Sequence, residues 1–222
     1  MEIAETFRAR YEAVRPGAGR VLEGVAVMGH VHRAAEVAAL VGLSAEDTAD
    51  TLHLLRRAGA LTQTGRGLVF ARPFARTSLL MAMPPSEQAR LHAAVARGLH
   101  ASGESGPRLI DHLMRAGTIG EPWAGRALMD AADTALAKGA LKEAKACLER
   151  GLQECVPGDA PALMRRLARV ELAHDPAAAV VRLRSTLALT GQDDTDRLKA
   201  LLNLVQAIVL TGDTAEALRV AR

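Results

Sequence analysis

Between residues 124 and 217 one helical-hairpin pattern recurs three times, and that recurrence constrains the fold more than any other feature. Its turns are Lys138-Gly139-Ala140, His174-Asp175-Pro176 and Thr211-Gly212-Asp213. Gly139 and Asp175 are 36 residues apart, and Asp175 and Gly212 are 37 apart. Those intervals are close to the roughly 34-residue period of a tetratricopeptide repeat. About five positions after each turn stands a small residue: Ala144, Ala179 or Val180, and Ala217. This places it on the inner face of a second helix, where two helices cross too closely for a bulky side chain. Stacked hairpins build extended surfaces that hold other molecules and are not sites of bond chemistry.

The rest of the chain agrees with a helical protein. Of its 222 residues 49% are hydrophobic but only 2% aromatic, and Ala and Leu dominate. Strong helix formers combined with few aromatic and β-branched residues argue against a sheet-rich fold. The length suffices for one large or two small domains. With 28 basic against 25 acidic residues the net charge is +3, without a concentrated basic run. That balance gives no reason to invoke nucleic acid or an anionic membrane. Cys147 and Cys155 are eight residues apart on one expected helix. Roughly 12 Å of axial rise between them excludes a disulfide. Unpaired thiols and the absence of a signal peptide or long apolar span fit a reducing cytoplasm.

Upstream, Glu2 to Val14 reads as a short helix ended by Arg15-Pro16-Gly17, the tail of a preceding domain spanning residues 1–19. An apolar helix follows over Arg20 to Met28, then a short one over Ala34 to Leu40 stopped by Gly42. Ser44, with Asp47 three residues on, forms an approximate capping box for the next helix. Thr48, Leu52, Leu55 and Ala58 give that helix its buried face. Two alternating stretches, Ala60 to Thr62 and Gly67 to Phe70, flank a hairpin turn at Thr64-Gly65-Arg66-Gly67. Three helices and a two-stranded ribbon in this order predict a winged helix-turn-helix over residues 20–83. Residues 84–117 read as a helical connector containing the flexible stretch 102–107, and residues 118–222 as the repeats. The expected fold class is therefore all-α with a small two-stranded β-wing: a winged helix followed by tetratricopeptide-like α-solenoid hairpins.

Several chemistries can be weighed on residues alone. A DNA-binding winged helix would lay Ala45 to Arg57 in the major groove with its N-terminal residues at the bases. Those residues are Glu46, Asp47 and Asp50, which repel phosphate. The histidine pairs His30/His32 and His92/His100 lack further donors or are too far apart for one metal ion, and read as surface or half-buried residues. No phosphate-cradling G-x-x-x-x-G-K-[ST] motif occurs, and no Ser/His/Asp nucleophile context is recognisable. The chain is expected to be no enzyme and to carry no metal or cofactor. Partner contacts are expected on the concave first-helix face, at Arg126, Met129, Asp133, Arg165, Arg169, Lys199 and Asn203.

Four stretches together resemble a known family: LEGVAVMG (22–29), AAEVAALVGLSAEDTADTLHLLRRAGAL (34–61), VFARPFARTSLLMAMPPSEQARLHAAVARGL (69–99) and ALAKGALKEAKACLERGL (135–152). In that order they are similar to the region after the ATPase domain of LuxR-type large ATP-binding transcriptional regulators, signal-transducing NTPases common in actinobacteria. The resemblance implies a multidomain regulator: a nucleotide-binding domain, an internal winged helix, a helical-repeat sensor and a C-terminal DNA-binding domain. Such proteins usually carry F-x-H-P-L after the wing, with the His monitoring nucleotide phosphates. Here the run is Phe70-Ala71-Arg72-Pro73-Phe74, so Arg72 stands at the nucleotide-sensing position.

The expectation is thus a cytoplasmic, non-catalytic sensor and scaffold, truncated at both ends, whose repeats bind a protein or small-molecule effector. Its winged helix would relay that state to a neighbouring nucleotide-binding domain. ATP or ADP would belong to the parent protein, DNA contact to an absent domain, and no membrane would be involved. The alternatives are a stand-alone winged-helix DNA-binding regulator and a tetratricopeptide adaptor unrelated to transcription.

Overall fold

The computed structural model describes residues 2–155, 158–190 and 195–221. The chain divides into two compact units, residues 1–117 and 118–222.

In the first unit, α1 (Glu2–Glu12) and α2 (Ala18–Met28) are joined by a tight turn. Glu12 accepts hydrogen bonds from Gly17 N at 2.8 Å and Gly19 N at 2.7 Å. These bonds satisfy amides at the start of α2 that have no intrahelical acceptor. They also hold the Glu12 carboxyl below the ordinary glutamate range, the Gly17 bond contributing most. Short α1 is stabilised by tertiary contact, since a helix of this length is marginal alone. It packs on α2, with Tyr11 buried and the Phe7 ring 5.1 Å from that of Tyr11.

Next come α3 (Ala34–Val41), α4 (Ala45–Arg57) and the antiparallel strands β1 (Leu61–Thr64) and β2 (Gly67–Phe70). Ser44 caps α4 by accepting from Asp47 N at 3.0 Å. The expected reciprocal arm is absent: the Asp47 carboxylate instead accepts from the Ser44 hydroxyl at 2.7 Å, because Asp is one methylene shorter than the usual Glu. Thr48, Leu52 and Leu55 are buried as expected and Thr51 joins them, while Ala58 is exposed. Ala58 is the C-cap, where the backbone has left the helical period. β1 runs two residues beyond its expected end, giving the register Leu61 opposite Phe70 through Thr64 opposite Gly67. Val31, between α2 and α3, makes paired backbone bonds with Leu68 of 3.0 and 2.8 Å, which fasten the ribbon to the helices. Gly67 permits this: its φ is +103°, and a Cβ there would lie 2.4 Å from the Val31 carbonyl oxygen.

The unit ends with α5 (Pro73–Ala82), α6 (Pro85–Ala101) and α7 (Pro107–Arg115), each opened by a proline in the first turn, where no backbone donor is needed. Leu91, Ala96 and Leu99 of α6 and Leu109 and Leu113 of α7 are buried.

The second unit is three successive hairpins. They are α8 (Pro122–Ala137) with α9 (Leu141–Glu154), α10 (Ala160–Glu171) with α11 (Pro176–Leu189), and α12 (Thr195–Thr211) with α13 (Thr214–Val220). Gly139 and Gly212 turn with φ of +73° and +91°. The middle turn has no glycine; there Asp175 caps α11 by accepting from Ala178 N at 3.0 Å. The small residues Ala144, Ala179 and Ala217 are all buried, which fixes Ala179 in preference to Val180 as the close-contact position. Val180 packs partly buried against a cluster formed by α10 to α13, as does Val220. Leu218 of α13, by contrast, is 65% exposed. A bidentate pair from Arg182 to Glu171, both bonds 2.8 Å, staples α10 to α11.

Candidate functional site

The leading end of α4, which a DNA-binding winged helix would present to the bases, is engaged from within its own unit. Arg15, in the turn between α1 and α2, places Nη2 3.2 Å from Asp47 Oδ1 and Nη1 3.4 Å from Asp50 Oδ2. A second arginine that sequence alone does not single out ties α5 to α2. Arg76 Nε donates to the Ala26 carbonyl at 2.8 Å, and burial lowers its guanidinium below the usual range. Arg72, at the resemblance's nucleotide-sensing position, is the exposed N-cap of α5 with extended backbone.

The seven residues expected on the first-helix face do not form one cluster. Asp133, Arg165 and Arg169 line a common cavity of about 480 Å³, where Arg166 joins them. Leu136, Leu141, Val170 and Ala173 supply its apolar wall. Arg166 Nε bonds both oxygens of Asp133, at 3.1 and 3.3 Å. Arg165 Nη2 bonds Asp196 at 3.0 Å, while its buried Nε has no hydrogen-bond partner. Arg169 is exposed at the rim. Lys199 lies 3.9 Å from Asp196, and Arg126 donates to Pro122 O of its own helix at 3.4 Å. Met129 and Asn203 are half-buried. Arg166 escaped the sequence reading because one turn position separates it from the periodic face carrying Arg165 and Arg169.

Two buried polar clusters also lacked a sequence signature. Contrary to its reading as a surface or half-buried residue, His92 is buried, and so is His112, with Nδ1 atoms 2.8 Å apart between α6 and α7. One ring must donate and the other accept through Nδ1, so the two rings cannot both be protonated while the bond holds. Burial depresses both, His112 to about 4. His100, read as too far from His92 to share a metal ion, is exposed near the end of α6. Glu154 is buried and accepts from Ile119 N at 2.9 Å, Gly120 N at 2.9 Å and Arg150 Nη2 at 2.5 Å. It therefore anchors the segment leading into α8. Cys147 and Cys155 are both free, and burial raises both thiols, opposite to the activation a reactive thiolate requires. Among the described residues no group of three His, Cys, Asp or Glu could hold a metal ion, and no helix is long and apolar enough to cross a membrane.

No family model and no curated protein matches this chain. It is similar to a solved structure described as a Podosopora anserina kinesin light chain with nearly identical TPR-like repeats. The two share 16% identity over 79% of this chain and 84% of the other, with a TM-score of 0.42. The repeat assignment accordingly stands on the hairpins of residues 122–220 themselves.

Proposed function

We propose that this chain is a non-catalytic sensor and scaffold region of a multidomain bacterial transcriptional regulator. In this reading α2 to α4 with β1 and β2 act as an internal winged helix, and the hairpins α8 to α13 hold an effector. The observation that carries the reading is the Arg15 bridge to Asp47 and Asp50. A recognition helix must offer donors and cations to DNA at its leading end. Here that end is acidic, and its carboxylates already have an intramolecular cation. The winged-helix region serves better as an interdomain piece that reports the state of a neighbouring nucleotide-binding domain. Arg72, exposed at the start of α5, is the group we assign to contact that domain or its nucleotide phosphates.

The repeat scaffold is the part that meets a partner, and its paired arginines and aspartates suit a polar, charged ligand. A tetratricopeptide adaptor unrelated to transcription shares this half of the account and differs only in what the winged-helix region does. ATP belongs to the parent protein, so phosphate release from ATP by the purified chain is expected to equal the buffer background. Turnover abolished by a single substitution in this chain would overturn the non-catalytic reading.

A further inference from the structure

The cavity beside α10 has an uneven distribution of charge satisfaction. Three guanidiniums, from Arg165, Arg166 and Arg169, line it against the single carboxylate of Asp133, which Arg166 already engages. Arg165 is held in place by Asp196 yet keeps a buried Nε without an acceptor. Leu141 of α9 and Val170 of α10 add apolar lining to the same cavity. At about 480 Å³ the cavity lies within the size range of small-molecule sites, which combine apolar walls with a few converging polar groups.

We propose that this cavity binds a small organic anion, with its carboxylate or phosphate at Arg165 and Arg169 and its apolar part against Leu141 and Val170. Arg169, exposed at the rim, captures the anion. Arg165, one turn earlier on α10 and held by Asp196, supplies the second guanidinium. Arg166 is already neutralised by Asp133 and orients the pocket without bonding the ligand. The proposal rests on reading the repeats as a binding surface and names the chemistry of the effector.

The test titrates the full 222-residue chain with three probes by calorimetry and NMR: octanoate, its uncharged analogue octanamide, and inorganic phosphate. Octanoate is expected to saturate one site at least tenfold more tightly than either control. R169Q, with an unchanged melting temperature, is expected to weaken octanoate about fivefold or more, as loss of a charge-assisted hydrogen bond does. R169K should recover part of that loss, and L141A should weaken octanoate without affecting phosphate. Octanamide binding as tightly as octanoate would place the probe on apolar surface alone, such as the exposed Leu198 and Leu202 of α12, and overturn the proposal. Equal binding by R169Q, or no saturable octanoate binding, overturns it too. None of these failures touches the scaffold reading, which stands or falls on ATP turnover and DNA affinity.

Discussion

Arg15 and Asp47, 32 residues apart in sequence, meet at 3.2 Å, so the turn before α2 reaches across to the leading end of α4. The same guanidinium touches Asp50 at 3.4 Å. Both carboxylates are largely exposed, and exposed ion pairs contribute about 0–1 kcal/mol. The pair therefore matters more for what it keeps from α4 than for stability. R15A is expected to lower unfolding free energy by no more than about 1 kcal/mol in urea titrations.

Ser44 makes the larger local contribution. Its hydroxyl accepts from Asp47 N and fixes the start of α4. S44A is expected to cost about 1 kcal/mol, as for typical N-cap losses, whereas S44D should retain most of the stability. Urea midpoints at constant m-value measure both; an S44A midpoint identical to the parent would contradict the capping account.

At Gly67 a side chain would meet two obstacles together. The positive φ of +103° strains any L residue, and the new Cβ would sit 2.4 Å from Val31 O. G67A is expected to destabilise by about 2 kcal/mol or more and to lose hydrogen-exchange protection at Leu68 N, which bonds Val31 O at 2.8 Å. Retained protection there would show that the ribbon can move away freely.

Acid should loosen the first unit through the histidine pair. Folded His92 and His112 sit below the free value of 6.5, His112 at about 4, so the unfolded chain binds more protons than the folded one across that interval. Stability is then full above about pH 6.5 and declines as pH falls toward 4. His112 alone accounts for on the order of 3 kcal/mol at the lower end. The charged neighbours Asp111, Arg115, Arg108 and Arg76 modulate this without reversing it, since desolvation is the largest cause. Denaturation series at several pH values in the parent and in H112Q check it; an equally steep decline in H112Q would assign the acid sensitivity elsewhere.

Glu154 carries a comparable load in the second unit. E154A removes the acceptor of Ile119 N and Gly120 N and leaves buried Arg150 without that carboxylate. Breaking a buried pair from one side costs about 3–5 kcal/mol, and thermal unfolding should register it. E154Q should fall between E154A and the parent.

What was legible in the sequence was local. Gly139, Gly212, Asp175 and the three buried alanines follow from backbone conformation and helical period, which are written within a few neighbouring residues. The contacts that define the candidate sites were not. Arg166 meets Asp133 across 33 residues, His92 meets His112 across 20 and Ile119 meets Glu154 across 35. Each depends on which helix faces pack, and no spacing rule encodes that. Ala58 shows the converse: its i+10 spacing suggested burial, but the helix had already ended.

The central claim is that α4 is an interdomain helix and not a DNA reader. Fluorescence anisotropy of labelled duplex DNA, titrated with the purified chain at about 50 mM salt and repeated at 200 mM, tests it most directly. The account predicts binding no tighter than the non-specific range, with a dissociation constant of about 10⁻⁶ M or weaker, unchanged in R15A. A nanomolar constant that weakens by about a thousandfold over that salt interval would contradict it.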